Sequence, residues 1–266
     1  MNDINCALES EKINPLSDRI IEHIIEQSYS RRILTMAPKL NLGYKPWSSE
    51  TYGELLPTFI SKISQICHIQ KSSLVLDLGC GTANVLCQIA ISHGCRTYGI
   101  EVRNVCVEGA HSMISESQHR LELWGSEMMG SLIIEHANML ESTQLLQLLS
   151  EADLIIMNNF QFDPELIQSI KELIQNANLK EGAHIFSMKS LIRQCKNGKM
   201  TERDFSVPMR EFRQVMHYYP PESVSWTESK GIFYILKKDT AWYRKKEAEF
   251  LNMKETSKRK GKKGAM

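Results

Sequence analysis

A short glycine turn follows an apolar run and carries the strongest chemical signal in the chain. The run Leu74 to Leu76 leads into Asp77, and Gly79 and Gly81 come directly after it. Glycines at these positions let the backbone turn tightly and approach a ligand without a Cβ in the way. A carboxylate at the end of a strand, beside such a turn, indicates a ligand that carries positive charge.

Two classes of ligand compete for this turn. A dinucleotide site requires a third glycine, where this chain has Asn84, and a helix N-terminus that holds a pyrophosphate. Asp77 would repel a diphosphate but suits a ligand with an ammonium and a sulfonium. Glu101 ends the next apolar run, about 20 residues later, where an acid can hydrogen-bond ribose hydroxyls. We favour the cationic ligand; the alternative, that Asp77 and Glu101 only cap strand ends, stays open.

A polar and an apolar side chain, Asn138 and Met139, follow the third apolar run. The pattern up to this point resembles class I methyltransferases, in which this turn reads adenine with a polar side chain at its amino edge and an apolar one on its ring face, and the pair fits those two roles. Any loop can contain such a pair, so this assignment depends on the signals around it.

The elements that must position these residues alternate short apolar runs with longer, often amphipathic segments. Six runs are predicted as strands: residues 74–76, 96–100, 132–134, 153–157, 184–188 and 233–236. Strands separated by crossover helices form a mainly parallel sheet flanked by helices, with ligands at the carboxyl ends of the strands. The polar stretch 197–213 is predicted as a loop.

Helical periodicity precedes the strands. Isoleucines recur at helical spacing after Ser17, a candidate N-cap, and a second helical pattern from Tyr52 to Cys67 has Pro57 in its first turn. We therefore predict an N-terminal helical region over residues 1–50, a catalytic domain over 51–236 and a basic, partly disordered tail over 237–266.

Several short strings, taken in order, resemble one family. They are Tyr52-Gly53-Glu54-Leu55-Leu56-Pro57, Asp77-Leu78-Gly79, Gly99-Ile100-Glu101, Asn158-Asn159-Phe160, Ser187-Met188-Lys189-Ser190-Leu191 and Ser223-Val224-Ser225-Trp226-Thr227. The ordered set resembles the disruptor-of-telomeric-silencing family, non-SET methyltransferases that modify a lysine on the globular core of histone H3 within the nucleosome. The likeness covers roughly residues 45 to 236.

The resemblance implies a Rossmann-like class I methyltransferase fold, S-adenosylmethionine as cofactor and a nuclear location. It also implies roles for individual residues. The residues expected to bind the cofactor are Tyr52, Glu54, Asp77, Gly79, Gly81, Asn84, Glu101, Asn138, Met139 and Asn158. Those expected near the transferred methyl and the lysine channel are Asn158, Asn159, Phe160, Trp226 and Phe233. For Trp226 and Phe233, core packing is the alternative, since it is the commoner fate of aromatic residues.

The chain departs from the family pattern at three of these positions. Ala83 replaces a usual glycine, Met139 stands where an aromatic is common, and Phe233 lacks the hydroxyl of the usual tyrosine. We expect the first two to alter affinity for the cofactor and the third to alter turnover or the number of methyl groups added.

The implied chemistry needs geometry and exclusion of water. A lysine amine must lose its proton, align with the methyl–sulfur bond and be shielded from solvent. An apolar aromatic channel lowers the pKa of such an amine because it disfavours the ammonium form. We assign no general base.

Composition narrows the classes of protein that this chain can represent. Its hydrophobic fraction of 42% and charged fraction of 24% are those of a globular protein. We expect no secretory leader or membrane span, because no apolar run approaches the roughly 20 residues that a span requires. Seven cysteines without a CxxC pair indicate a reducing compartment, and Cys87, His93 and Cys95 fit no common zinc pattern, so we expect no metal site.

Charge is distributed unevenly along the chain. Residues 237–266 contain eleven Lys or Arg and four Asp or Glu, a net charge of +7, so the rest carries −6 of the overall +1. The basic residues at the end of this tail are Lys254, Lys258, Arg259, Lys260, Lys262 and Lys263. We expect them to bind nucleosomal DNA or to act as a nuclear import signal, with a merely solvated terminus as the alternative.

The leading hypothesis is methylation of a lysine in the core of histone H3 with nucleosomes as the substrate. Two alternatives stay open: a class I methyltransferase for another protein or a small molecule, and a catalytically weak chromatin-binding module.

Overall fold

The computed structural model describes residues 16–41, 53–127, 130–192 and 208–263, with the backbone alone for residues 41 and 255–263. The helices are Asp18–Arg32 (α1), Ala37–Asn41 (α2), Pro57–Ile66 (α3), Asn84–His93 (α4), Asn104–Leu123 (α5), Leu145–Glu151 (α6), Pro164–Ala177 (α7) and Thr240–Lys263 (α8), with a 3-10 turn at Leu34–Met36. The strands are Leu74–Leu78 (β1), Arg96–Glu101 (β2), Leu132–His136 (β3), Leu154–Met157 (β4), His184–Ser187 (β5), Phe212–Tyr219 (β6) and Gly231–Lys238 (β7).

The described strands form one seven-stranded sheet in the order β3-β2-β1-β4-β5-β7-β6. The pairings β1–β2, β1–β4, β2–β3 and β4–β5 are parallel, whereas β7 runs antiparallel to both β5 and β6. The prediction of a mainly parallel sheet flanked by helices is confirmed. This order places the carboxyl ends of β1, β2 and β4 side by side, at the point between β1 and β4 where the strand order reverses.

The central strands are apolar because helices cover both faces of the sheet. Every residue of β1 and β4 is buried. One core cluster contains Val75, Leu154 and Phe186, and a second contains Leu76, Ile155 and Tyr234. Alternating residues of a strand thus enter opposite layers, as expected for a parallel sheet that is buried on both sides.

The N-terminal helices dock on the same body. The Glu116 carboxylate of α5 is buried, accepts a 2.9 Å hydrogen bond from Arg32 of α1 and lies 3.0 Å from the guanidinium of Arg120. The guanidinium of Arg103 donates to the Leu40 carbonyl of α2 at 2.7 Å. The helical region predicted at the N-terminus therefore packs against α5, which begins three residues after Glu101.

Two parts of the chain differ from the sequence-based predictions. Phe212–Tyr219 is a strand, β6, although its first residues were predicted as loop; residues 193–207 of that stretch lie outside the described residues. Thr240–Lys263, within the predicted basic tail, forms a helix that the sequence analysis did not predict. Its composition explains this, because Lys, Glu, Ala, Leu and Met favour helix even where few apolar side chains pack. No helix within the described ranges is long and apolar enough to span a bilayer.

Candidate active site

The glycine turn after β1 folds back on the end of β2. The amides of Gly79 and Cys80 both donate to the Ile100 carbonyl, at 2.9 and 3.1 Å. Gly79 has a φ of +86°, which L side chains rarely adopt, and a Cβ there would come within 3.4 Å of Phe162. Ala83, at the glycine position noted above, is left-handed with φ 61° as the N-cap residue of α4. The turn therefore keeps its shape without that glycine, at some backbone strain.

The Glu101 carboxylate closes the second side of the turn. It is buried and accepts hydrogen bonds from the amides of Gly81, at 2.9 Å, and Arg103, at 2.8 Å. Burial raises the pKa of Glu101, and the hydrogen bonds from Arg103 and Gly81 oppose that rise. The two amides fix the carboxylate at the strand end while each oxygen retains a further lone pair for a ligand.

Asp77 lines the same cavity as the glycine turn and Glu101. Its side chain is buried, and Oδ1 has no hydrogen-bond partner among the described residues. Burial, and secondarily the charge of Glu101, raise the pKa of Asp77 from 3.8 to about 8. A buried acceptor without a partner is costly in the free protein, so this position favours a ligand that brings a donor or a positive charge.

Asn158 presents a second acceptor of this kind from the end of β4. Its Nδ2 donates to the Gly53 carbonyl at 2.7 Å, while its Oδ1 is buried without a partner among the described residues. Asp77, Glu101 and Asn158 thus end three neighbouring strands and line one cavity.

The loop before α3 forms the facing wall of this cavity. Glu54 is buried and its carboxylate accepts a hydrogen bond from Thr82 Oγ1 at 3.2 Å. The amide of Asn84 donates to the Leu55 carbonyl at 3.0 Å, so this side chain fastens the loop as well as lining the cavity. Tyr52, also predicted to bind the cofactor, lies outside the described residues.

Asn138 and Met139 line the far end of the cavity, after β3. The Asn138 amide donates to the Glu141 carboxylate at 2.9 Å, and its Oδ1 accepts from the Leu140 amide at 3.1 Å. These bonds hold the tight turn in which the pair lies, and Met139 packs against the core.

Phe160 and Trp226 form an aromatic pair beside the cavity. Their rings stack with centroids 5.5 Å apart at an angle of 24°. A Cβ on Gly53 would approach the Trp226 ring to 2.8 Å, so the indole lies directly against that backbone. Because Gly53 and Asn158 both line the cavity, the aromatic pair stands at its edge. Phe160 is 43% exposed, which leaves its ring accessible to a partner molecule.

Two of the residues predicted near the methyl group lie elsewhere. Asn159 is completely buried, and its Oδ1 accepts hydrogen bonds from Ser187 Oγ, the Met188 amide and the Lys189 amide. It therefore fastens the end of β4 to the end of β5 and positions its neighbours.

Phe233 is also completely buried and does not line the cavity. Its ring lies 5.0 Å from that of Phe59, 5.7 Å from Phe186 and 5.1 Å from His217. The structure thus corresponds to the core-packing alternative for Phe233, because its position in β7 directs the side chain into the layer beneath α3.

Residues not singled out from the sequence complete the cavity lining. They include Gly53, Val102, Arg103, Cys106, Phe162 and Leu166. Arg103 and Phe162 each lie within a few residues of a predicted site residue. The first turn of α5 and the segment after β4 could have been included from their position at the strand ends alone.

The fold and this cavity define a class I methyltransferase architecture. The chain is similar to the structure of a putative class I S-adenosylmethionine-dependent methyltransferase from Listeria monocytogenes, with a TM-score of 0.50 and 14% identity, over 82% of this chain and 69% of that one. This likeness concerns the fold.

The chain belongs to the family described as Histone methylation protein DOT1, whose model matches residues 29–237. It is 28% identical over 243 residues to the H3 lysine-79 specific histone-lysine N-methyltransferase of Eremothecium gossypii, covering 88% of this chain and 41% of that protein. The enzyme of the same name from Emericella nidulans is 31% identical over 222 residues, 83% of this chain and 43% of that protein. The chain spans less than half the length of these relatives.

Proposed function

We propose that this protein transfers a methyl group from S-adenosylmethionine to a lysine on the globular core of histone H3 within nucleosomes. The observation that carries the proposal is one cavity in which Asp77, Glu101 and Asn158 end three adjacent strands, with the Phe160–Trp226 pair at its edge. Family membership and the printed names of the relatives support histone H3 as the substrate.

The cavity fits S-adenosylmethionine in the chemistry of its groups. Two buried acceptors, Asp77 Oδ1 and Asn158 Oδ1, have no partner among the described residues and suit the ammonium of the methionine moiety. Glu101 has lone pairs for ribose hydroxyls, and Asn138 and Met139 suit adenine. The three lining carboxylates, of Glu54, Asp77 and Glu101, oppose a diphosphate. When bound, the cofactor supplies an electrophilic methyl group on a sulfonium.

The protein contributes position and desolvation to the transfer. Asn158 links the cavity to Gly53, and Gly53 lies against Trp226, so the aromatic pair is held at a fixed place beside the methyl end of the cavity. A lysine side chain that enters along this aromatic pair loses water, which favours its neutral amine and brings it near the methyl group. Asn159 and the strand ends fix this arrangement.

Helix α8 supplies the contact with nucleosomal DNA in this proposal. Lys254, Lys258, Arg259, Lys260, Lys262 and Lys263 lie in its last turns or near them. Neutralisation of phosphates by such residues makes binding weaken steeply with salt. A nuclear location accompanies a chromatin substrate.

The direct test is transfer of labelled methyl from S-adenosylmethionine to recombinant nucleosomes, with free histones alongside and Glu101→Ala as control. We expect label on histone H3, more in nucleosomes than in free histone, and none with Glu101→Ala. Label on free histones or small molecules alone would contradict the nucleosomal substrate. Cofactor binding without label would contradict the enzymatic activity and favour a chromatin-binding module.

A second test concerns the basic end of α8. With Lys258, Arg259, Lys260, Lys262 and Lys263 all changed to Gln, we expect nucleosome affinity to fall. The salt slope of log K should flatten by about 0.9 for each phosphate that the protein no longer neutralises. The measurement is a nucleosome-binding titration at several salt concentrations. Cofactor affinity, measured in parallel, should stay the same, and an unchanged salt slope would contradict the binding of DNA by this helix.

A further inference from the structure

Two segments that are distant in the sequence pair beside the cavity. Residues 53–56, the cofactor-side loop, line the cavity with Gly53, Glu54 and Leu55. Residues 223–227, the tryptophan loop, carry Trp226. Leu55 and Val224 form an antiparallel bridge, and the Leu56 amide donates to the Ser223 carbonyl at 2.9 Å. The two loops therefore form a small two-stranded pairing apart from the main sheet.

Ser225 makes the reciprocal contact with Glu54. Its amide donates to the Glu54 carbonyl at 2.9 Å, and its Oγ accepts from the Glu54 amide, also at 2.9 Å. Glu54 is buried and lines the cavity. The serine hydroxyl thus adds a side-chain hydrogen bond to the backbone pairing between the two loops.

Each loop also contacts a functional group on its other side. The Gly53 carbonyl accepts from Asn158, which lines the cavity and whose buried Oδ1 has no partner among the described residues. Trp226 stacks on Phe160 and lies against the Gly53 backbone, with only 2.8 Å to an added Cβ. A shift of the cofactor-side loop therefore moves the surface on which the indole rests.

We propose that Ser225 is a positioning residue which joins these loops into one unit, so that filling the cofactor cavity orders Trp226 for the entering amine. This inference rests on the proposed function, since it takes S-adenosylmethionine as the occupant of the cavity and an amine as the partner of the aromatic pair. Ser225 touches neither; it acts through Glu54 and Trp226.

The chain offers a matched control in the same loop. Ser223 lies two residues away, and its Oγ donates to the Pro220 carbonyl at 2.7 Å, within its own loop. Ser223→Ala therefore removes one hydroxyl and one hydrogen bond from this segment without removing the side-chain contact with Glu54. Ser225→Thr retains the hydroxyl and serves as the conservative rescue.

The first measurement is the affinity of the full chain for S-adenosylhomocysteine, by calorimetry. We expect Ser225→Ala to raise the Kd about threefold, the size of one modest hydrogen bond. Ser223→Ala and Ser225→Thr should bind as the unmodified protein does. The thermal unfolding of all three variants is measured alongside. If both alanine variants lose the same stability but only Ser225→Ala binds more weakly, the weaker binding comes from the lost contact with Glu54 and not from a general loss of stability.

The second measurement follows Trp226 itself by fluorescence. The chain has four tryptophans, so Trp226→Phe identifies the part of the signal that belongs to this residue. We expect saturating S-adenosylhomocysteine to change the emission of the unmodified chain and of Ser223→Ala. The change should be absent in Trp226→Phe and reduced in Ser225→Ala even when every cavity is filled.

The third measurement uses nucleosomes at saturating S-adenosylmethionine. Disorder of Trp226 impairs entry of the amine, so Ser225→Ala should raise the KM for nucleosomes with little change in kcat. Gly53→Ala perturbs the pair from the other side, because its Cβ meets the indole, and should reduce the same fluorescence change.

The outcomes separate this inference from the proposed function. Failure of the unmodified chain to bind S-adenosylhomocysteine would overturn the proposed function and the coupling with it. Normal binding, with Ser225→Ala indistinguishable from Ser223→Ala in Kd, emission and KM, would overturn the coupling alone.

Discussion

The cofactor cavity and the aromatic core around Phe233 belong to neighbouring parts of one sheet but bury different kinds of group. The cavity buries polar atoms without partners, and the core buries packed aromatic rings. In the cavity, Asp77 and Asn158 each bury an oxygen that has no partner among the described residues. Beneath β5 and β7, Phe59, Phe186 and Phe233 pack ring against ring with centroids 5.0 to 5.7 Å apart.

The contrast indicates where stability and function reside. Unpaired buried polar groups cost free energy that a ligand can recover, whereas packed aromatic rings contribute stability whether a ligand is bound or not. Substitutions in the cavity should therefore weaken ligand binding without lowering the free energy of unfolding, whereas those in the aromatic core should lower the free energy of unfolding and leave ligand affinity unchanged.

The largest effect is expected in the aromatic core. Phe233→Ala leaves a cavity among three rings and should lower the free energy of unfolding by about 3–5 kcal/mol. Denaturant unfolding measures this loss, and Phe160→Ala, at an exposed ring, is the control with a small effect. The remaining folded protein should bind S-adenosylhomocysteine normally. A large loss of affinity with little loss of stability would instead place Phe233 in the site.

The next effect is expected at the ribose end of the cavity. Glu101→Ala removes the charged acceptor proposed for the ribose and should weaken S-adenosylhomocysteine about 100-fold, the loss expected for one hydrogen bond to a charged group, which contributes about 1.5–3 kcal/mol. Calorimetry measures the change. Glu135→Ala is the matched control, because this acid of β3 accepts from Tyr98 and Ser142 and does not line the cavity. Equal losses in both variants would contradict the assignment.

Replacement of Asp77 should increase the stability of the free protein and weaken its binding of the ligand. Its pKa is raised from 3.8 to about 8, so the folded chain keeps a proton that the unfolded chain releases near pH 4. The stability linked to that proton is lost as pH rises to about 8. Asp77→Asn should therefore raise the free energy of unfolding of the ligand-free protein by about 1–3 kcal/mol at pH 8, and by less at pH 5.

The same substitution should weaken the ligand. An ammonium binds the ionised form of Asp77, so the affinity of the unmodified protein for S-adenosylhomocysteine should increase from pH 6 to pH 8, and Asp77→Asn should lose this dependence. Calorimetry across that range, beside denaturant unfolding, tests both signs. Affinity that is flat with pH in the unmodified protein would show that Asp77 does not pair with the ligand.

The smallest effect on stability is expected at the edge of the cavity. Phe160→Ala removes a stacked pair that contributes about 0.5–1.5 kcal/mol, and much of that ring already faces solvent. Methyl transfer to nucleosomes should nevertheless fall, through a lower kcat/KM at saturating cofactor. Unchanged transfer would remove the aromatic pair from the path of the amine.

The strand ends of the parallel half were predictable because apolar runs stop abruptly at polar residues. Asp77 and Glu101 each follow buried strand residues, and the topology brings such ends together whatever the rest of the chain does. Strand β6 was not predictable in the same way. As the outer strand of the sheet it has exposed Val215, Met216 and Tyr218, so its run lacks the continuous apolar pattern of β1 and β4.

The direction in which consecutive side chains point at a strand end was harder to predict from the sequence. Asn158 and Asn159 are the same residue type, yet one lines the cavity and the other is fully buried as a fastener of β5, because adjacent residues point to opposite sides. The sequence places both at the end of β4 but does not distinguish these directions. Phe233 poses the same problem, since a ring in β7 can enter either layer.

β7 leaves the ribosome after the other six described strands, yet it lies between β5 and β6. During synthesis, β6 has no neighbouring strand to join until Gly231–Lys238 has emerged, so the sheet grows outward from β1 and closes last at this seam. Pairings that join distant parts of a chain form slowly, which exposes the waiting strand to other chains. A nascent chain halted before Lys238 would thus leave β6 without its partner strand and open to chaperones.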